Sequence, residues 1–476
     1  MTQSTDTLAG VLEEQARALG DQTFLYFEER FATQKLGAYA VPVNVALKGE
    51  SLRHVVDHSD SKVLVGHPDY QENILGIAGS LGKLEKIVVD ASEAPAAWTP
   101  PAGWLTLAQL MEASDEEPDA AIDDEAMSAV MYTSGTTGAP KGVVNRYKSS
   151  GLEGIRQLGA MMKPDDVFYT CLPLFHANAL FLSSVRALVL GRPLALSRRF
   201  SASRFWDEIR RYGVTSFNAL GAMIPILMKQ PERESDTDNK VRIVFSAACP
   251  ASVWAEFEKR HGLFLIEAYA AVDGAGFAVI NAGNAPKGSF GKPSTEVRIV
   301  DDEGREVAVG EPGELLFRVE DEKLRKVEYY KNEEASAAKI RDGWLYTGDL
   351  VRADEEGNLY FLDRKTDSLR RRGENISSWE VEREINAHAD VLESAVFGVP
   401  SELGEDDVMA AVVLKGGRTL AAAELVAHCD ARMARFMVPR YIEFQAALPK
   451  TETHRVQKRV LKNNGVSPQT WDREAH

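Results

Sequence analysis

Four Ser or Thr residues, three glycines and one lysine crowd the stretch Met131-Tyr132-Thr133-Ser134-Gly135-Thr136-Thr137-Gly138-Ala139-Pro140-Lys141-Gly142-Val143, directly after an apolar run. Glycines let successive backbone N–H groups point into one concavity, a nest suited to phosphate oxygens. The hydroxyls of Thr133, Ser134, Thr136 and Thr137 add donors, and Lys141 adds charge on a flexible stem. This is not the Walker loop, which needs G-x-x-x-x-G-K-[ST]. Pro140 stands where the second glycine of that loop would be, and Gly142 replaces its Ser or Thr. A flexible Ser/Thr/Gly linker is the competing interpretation. A linker needs neither the strand before the loop nor the ordered Pro-Lys-Gly after it.

Such a loop needs a layered scaffold. Short apolar runs alternate with amphipathic helical patterns, which predicts α/β layering. Lys62–Val65, Lys86–Val89, Ala129–Tyr132 and Val241–Phe245 read as buried strands, with helices at Ser203–Tyr212 and Val253–His261. From about Gly288 the texture changes to short strands with Gly turns, as at Glu314–Phe317 and Asn358–Leu362, and predicts a β-rich subdomain. The charged stretch Asp363–Asp367 reads as a linker. Beyond it a small α+β unit is expected, with helices at Trp379–Ala387 and Ala421–Arg432 and strands at Glu393–Val399 and Val408–Leu414.

Composition narrows the function classes. The chain has 476 residues, too many for one ordinary core, with a net charge of −16. That charge argues against broad binding to nucleic acid or an anionic membrane, but a local basic cluster can still hold a phosphorylated ligand. Cys171, Cys249 and Cys429 lie far apart and make no metal-ligand spacing, so a disulfide framework is not expected. The polar start MTQSTDTLAG does not resemble a signal peptide, and no apolar run is long enough to span a bilayer. A cytoplasmic enzyme fits these features.

The run YTSGTTGAPKGVV is similar to the signature loop of the adenylate-forming superfamily, which contains acyl-CoA synthetases, adenylation domains of peptide synthetases and luciferases. Further segments resemble that family in the same order. Leu172-Pro173-Leu174-Phe175-His176 resembles the segment before its acyl pocket, and Trp344-Leu345-Tyr346-Thr347-Gly348-Asp349 its ribose-binding turn. Asp363-Arg364-Lys365 through Arg372-Gly373-Glu374-Asn375-Ile376-Ser377 resembles its interdomain hinge and the first strand-turn of its mobile domain. The texture around RRRGENIS looks most like the carnitine/crotonobetaine-CoA ligases.

The resemblance implies a large N-terminal AMP-binding domain over 1–363, a hinge at 364–366 and a small mobile α+β domain over 367–476. It implies a carboxylic acid, ATP with Mg²⁺, and CoA as ligands, and it allows a homodimer. Asp349 is the expected ribose ligand, because one carboxylate can accept from both ribose hydroxyls. Arg364 adds a second ribose or phosphate contact. Tyr269 is expected against adenine, with backbone near Ala248-Cys249-Pro250, and Asp273 is the expected Mg²⁺ ligand. His176 borders the acyl and CoA pocket, and Gly373 lines the pantetheine tunnel, where a missing side chain gives clearance. Arg370, Arg371 and Arg372 are candidates for CoA phosphates, although a charge run is usually a solvated face. The acid is not legible, since the pocket is set by scattered residues around Asn178 and Leu220–Met223.

Departures from the family pattern are also plain. Its Tyr-Gly-x-Thr-Glu segment is here Tyr269-Ala270-Ala271-Val272-Asp273, and Val272 cannot donate a hydrogen bond. A helix, a Gly-Asp turn and an apolar strand expected between Arg30 and Phe31 have no counterpart; either the chain has lost them, which should expose sheet edges, or the sequence as given omits them. The family's catalytic lysine falls at Arg455, after His454 in place of glycine, so the catalytic assignments are Lys141, Arg455 and His176. The expected function is ATP-dependent joining of a carboxylic acid to CoA through an acyl-AMP. Alternatives are an adenylation enzyme serving a carrier protein and a nucleotide-binding relative with impaired chemistry.

Overall fold

The computed structural model of the chain describes residues 38–112, 123, 125–133, 139–147, 150–220, 223–247, 249, 251–276, 278–301, 303–311, 313–320, 326–364, 369–371, 374–376, 378–401, 404–449, 456 and 458–475. The junction of Arg30 and Phe31 lies outside these residues. So do Ser134, Gly135, Thr136, Thr137, Gly138, Ala248, Gly373 and Arg455.

Both first apolar runs form strands, but the buried reading of Lys62–Val65 needs correction, since Val63 is 52% and Val65 48% exposed at the sheet's edge strand. Strands β1 (Val63–Gly66), β2 (Lys86–Val89) and β3 (Leu105–Thr106) form a parallel sheet. The strand before the phosphate loop is β4 (Met127–Thr133), and it turns back as β5 (Lys141–Arg146), with Thr133 opposite Lys141. Gly142 has a packing reason in this hairpin. A Cβ there would come within 2.6 Å of Val130 Cγ1 and 3.2 Å of the Tyr132 ring.

The central sheet runs in the order β11-β10-β9-β8-β6-β7. Its members are β6 (Phe168–Thr170), β7 (Leu194–Leu196), β8 (Ser216–Leu220), β9 (Ile243–Ala247), β10 (Phe264–Ala270) and β11 (Ala278–Asn281). All pair in parallel except β11, which lies antiparallel to β10. Parallel sheets need both faces covered. On one face, Phe205, Trp206 and Ile209 of the helix Phe205–Arg211 and Trp254 and Phe257 of the helix Ala251–His261 pack on Phe217, Ala219, Val244 and Leu265. Each buried Phe, Ile, Val or Leu among these contributes about 1.5–3 kcal/mol. The other face carries a π-helix, Asn178–Val185, and Arg186, whose guanidinium lies 4.4 Å from the Phe168 ring centroid and 4.6 Å from that of Phe245.

The β-rich expectation holds from β12 (Val297–Val300) through β13 (Gly313–Arg318), β14 (Ile340–Arg341), β15 (Trp344–Ala353) and β16 (Leu359–Arg364), all antiparallel. Leu315, Phe317, Leu345, Val351 and Leu359 form its core, and Val143 of β5 and Val279 of β11 pack into it. This shared core ties the phosphate hairpin to both neighbouring sheets. The linker expected at Asp363–Asp367 needs correction: Asp363 and Arg364 continue β16, paired with Leu350 and Asp349. Their charge suggested a loop, but a cross-strand partner is what defines a strand.

The later strands are β17 (Leu369–Arg371), β18 (Glu374–Ile376), β19 (Val391–Pro400), β20 (Asp406–Leu414), β21 (Tyr441–Phe444) and β22 (Trp471–Asp472). The sheet β19-β20-β21-β22 is apolar on both faces. Val396, Val408, Ala410 and Val412 meet Val381 and Ile385 of the helix Ser378–Asn386 and Leu425 and Cys429 of the helix Ala422–Asp430. Ala395, Phe397, Met409 and Ala411 point the opposite way, onto Leu448 and Leu461. Arg371, expected as a candidate for CoA phosphate, is buried instead, with Nε 3.0 Å from Asp407 Oδ1. The molecule is therefore a layered α/β protein with a β-rich portion and a smaller C-terminal α/β unit.

Candidate active site

The Gly-Asp turn is built by an irregularity in β15. Opposite β13, Glu314 faces Leu350 and Leu316 faces Tyr346, so the three residues Thr347, Gly348 and Asp349 bulge out opposite one. Gly348 has φ +79°, a conformation that costs glycine least. The bulge keeps its polar groups satisfied. Thr347 Oγ1 donates to Leu315 O over 2.7 Å, Gly348 N donates to Glu314 Oε1 over 3.0 Å, and Asp349 N donates to Thr347 Oγ1 over 3.1 Å. Asp349 is thereby held at 3% exposure, and its Oδ2 accepts from the Tyr269 hydroxyl at 2.6 Å. Two of the expected nucleotide residues, from β10 and β15, thus touch directly. The backbone of Arg364 stands opposite Asp349 in the ladder. The Tyr269 ring packs nearly parallel on Phe290, with centroids 4.9 Å apart.

Asp273 lies in the turn after β10, where Ala275 takes φ +51°. Its Oδ2 accepts from the Tyr329 hydroxyl at 2.5 Å and lies 3.0 Å from Lys339 Nζ. Lys141, opening β5, sits with Nζ 5.4 Å from the centroid of the same Tyr329 ring. Tyr329 is joined to β5 by a bridge to Val143, and Tyr330 N donates to Gly142 O over 2.7 Å. The expected phosphate lysine and the expected metal carboxylate therefore flank one tyrosine. Among the described residues no cluster of three or more His, Cys, Asp or Glu could hold a metal by itself. Asp273 as a single carboxylate fits Mg²⁺ in its usual protein setting, where substrate phosphates supply further ligands.

The stems of the phosphate loop are clamped from the helix Gly49–His58. His58 Nδ1 lies 2.7 Å from the Tyr132 hydroxyl, His54 Nε2 lies 3.2 Å from Pro140 O, and the two imidazoles stack 5.1 Å apart. Burial, then the neighbouring His54, holds His58 below its ordinary pKa, so its ring is neutral at pH 7.

His176 lies just before the π-helix, with its ring centroid 4.6 Å from that of Phe175. Two residues on, Asn178 Oδ1 accepts from Asn218 Nδ2 on β8 over 2.9 Å, so the expected acyl-pocket residue faces the central sheet. Cys249 N donates to Glu267 Oε2 over 3.2 Å, placing the expected adenine-side backbone beside β10.

Sequence reasoning missed Tyr329, Lys339 and Glu314. The first two lie in a stretch that reads as a solvated helix and its approach, and Glu314 was read only as a strand residue. No local pattern marks them.

Residues 21–320 match the model of the AMP-binding enzymes, and residues 380–455 match that of the AMP-binding enzyme C-terminal domain. The steroid-22-oyl-CoA synthetase of Rhodococcus jostii is 33% identical over 446 residues, covering 89% of this chain and 78% of that protein. The crotonobetaine/carnitine–CoA ligase of Salmonella paratyphi C is 31% identical over 450 residues, covering 91% and 85%. In fold, the o-succinylbenzoate CoA synthetase of Bacillus subtilis superposes with a TM-score of 0.74 at 24% identity, over 98% of this chain and 93% of that one. Among the described residues no helix is long and apolar enough to cross a membrane. The likeness runs through both the large layered portion and the C-terminal unit, and on that footing the chain belongs to the AMP-binding enzymes.

Proposed function

We propose that this enzyme activates a carboxylic acid with ATP and passes the acyl group to coenzyme A. In the first half-reaction a carboxylate oxygen bonds to the α-phosphorus while the bond to pyrophosphate breaks and its electron pair leaves with pyrophosphate. In the second, the CoA sulfur bonds to the acyl carbon, AMP departs, and the thiol proton is released. The contact of Tyr269 with Asp349 is the observation that carries the reading, because it joins a base-stacking ring and a ribose-type carboxylate at one point.

In this reading Asp349 accepts from the ribose hydroxyls, with Arg364 beside it on the next strand, and Tyr269 lies against the base. The loop Thr133–Gly138 and Lys141 receive the β- and γ-phosphates, and the two histidines of Gly49–His58 hold that loop's stems. Asp273 would hold Mg²⁺, which neutralises phosphate charge when bound. His176 and Asn178 border the acyl pocket. Arg455 supplies the cation of the adenylating state, and Gly373 gives clearance for pantetheine. Residues 1–363 and 367–476 act as two domains about a hinge that follows Arg364, the last residue of β16. The CoA-ligase activity named for the two relatives supports CoA as the acceptor. The cytoplasm, where ATP and CoA are both available, is the compartment this reading favours.

The test is a panel of carboxylic acids assayed for AMP release with and without CoA. At least one acid should give AMP and a thioester only when ATP, acid and CoA are all present. Release of AMP that ignores CoA across the panel would remove CoA from the proposal.

A further inference from the structure

Lys339 ends the helix Glu333–Lys339, and its ammonium joins two segments that are remote in sequence. It lies 3.0 Å from Asp273 Oδ2 and donates to Thr347 O over 3.2 Å, with 13% of its side chain exposed. Thr347 opens the bulge that presents Asp349, and Asp273 is the proposed metal carboxylate. In ATP the α-phosphate stands between the ribose and the metal-bearing phosphates. A cation spanning the ribose segment and the metal segment is therefore beside the α-phosphate. The strand end itself offers little there. Between Tyr269 and Asp273 stand Ala270, Ala271 and Val272, none with a side-chain donor, and Val272 packs against the β-rich core. Lys141 is near the same groups, with its ammonium over the Tyr329 ring.

We propose that Lys339 binds the α-phosphate, exchanging its contact with Asp273 for a non-bridging phosphate oxygen when nucleotide arrives. The proposal rests on the reading of the chain as an adenylate-forming ligase. A flexible ammonium with three donors can keep its bond to Thr347 O while one donor changes partner. When the acid displaces pyrophosphate, no proton moves to or from Lys339, and its charge remains on the phosphate of the acyl-AMP. The simpler role is structural, since a lysine in the last turn of a helix is favoured by the dipole and an ion pair pins a turn.

Calorimetry with AMP and with adenosine, in EDTA, separates the two roles, because the ligands differ by the α-phosphate alone. Lys339→Met should weaken AMP roughly tenfold, as loss of a charge-assisted hydrogen bond implies. Adenosine affinity should stay within about twofold, because the ribose and base contacts are untouched. Lys339→Arg should recover part of the AMP affinity. Lys339→Gln, which keeps a donor and removes the charge, decides the matter if the Met variant does not fold. Unchanged AMP affinity, or an equal fall for AMP and adenosine, would overturn the phosphate role. A parent protein that binds neither ligand would instead refute the adenylate-forming reading, and the role of Lys339 with it.

Discussion

The turns that carry Asp349 and Asp273 make an instructive pair. Asp349 sits inside a bulge whose backbone is braced by Thr347 and Glu314, is 3% exposed, and meets a neutral donor on Tyr269. Asp273 sits in an open turn after β10, with 23% of its side chain exposed, and shares one oxygen between Tyr329 and a lysine. The first carboxylate is positioned by the fold before any ligand arrives. The second is positioned by partners that a phosphate or a metal can draw away. Preorganised groups spend no reorganisation energy at the moment of binding, whereas exchangeable ones make binding dependent on which charges come together.

Three substitutions test that contrast. The largest effect is expected for Asp349→Asn, which removes the charge proposed to face two ribose hydroxyls. A loss of about 3 kcal/mol, roughly a hundredfold in adenosine and AMP affinity alike, should appear by calorimetry with the melting curve little changed. Retained affinity would mean that the braced turn serves folding instead of the ribose. Asp273→Asn should be milder and conditional. Affinity for Mg²⁺-ATP should fall roughly tenfold. Metal-free AMP should bind at least as well as before, since a negative charge near the phosphate is gone. An equal loss in both measurements would erase the distinction between the two turns. The smallest change belongs to Tyr269→Phe, which deletes only the 2.6 Å bond to Asp349. About 1 kcal/mol, roughly fivefold in AMP affinity, is the expected cost. A hundredfold loss there would show that Asp349 depends on Tyr269 more than on its own bulge.

Much of this arrangement is legible in the residues themselves. The apolar run Ala129–Tyr132 announces β4, because a buried strand must be apolar on the residues it hides, and the glycines after it mark the turn into β5. Thr347-Gly348-Asp349 is readable as a Gly-Asp turn through the family resemblance, whereas the bulge that forms it is seen only in the register of β13 and β15. Lys339 escapes such reading. Its helix, EEASAAK, has the composition of a solvated segment, and only the fold brings its end to Asp273 and Thr347. Tyr329 is hidden in the same way, because its value lies in a bridge to Val143, far away in the chain. The end of β16 misleads for the opposite reason: Asp363 and Arg364 carry the charge of a loop but have ladder partners. Local chemistry is written in local sequence, whereas a cation borrowed from a distant helix is not.

The three cysteines of the core carry a consequence for an enzyme whose proposed acceptor is itself a thiol. Cys171, Cys249 and Cys429 are buried and form no disulfide. Burial pushes the Cys171 and Cys429 thiols up to about 12 and raises Cys249 as well. Mixed disulfides form through attack by a thiolate on an accessible sulfur. At neutral pH these side chains supply almost no thiolate and no access. The buried cysteines therefore leave coenzyme A and its oxidised disulfide without a protein thiolate to exchange with in the folded state.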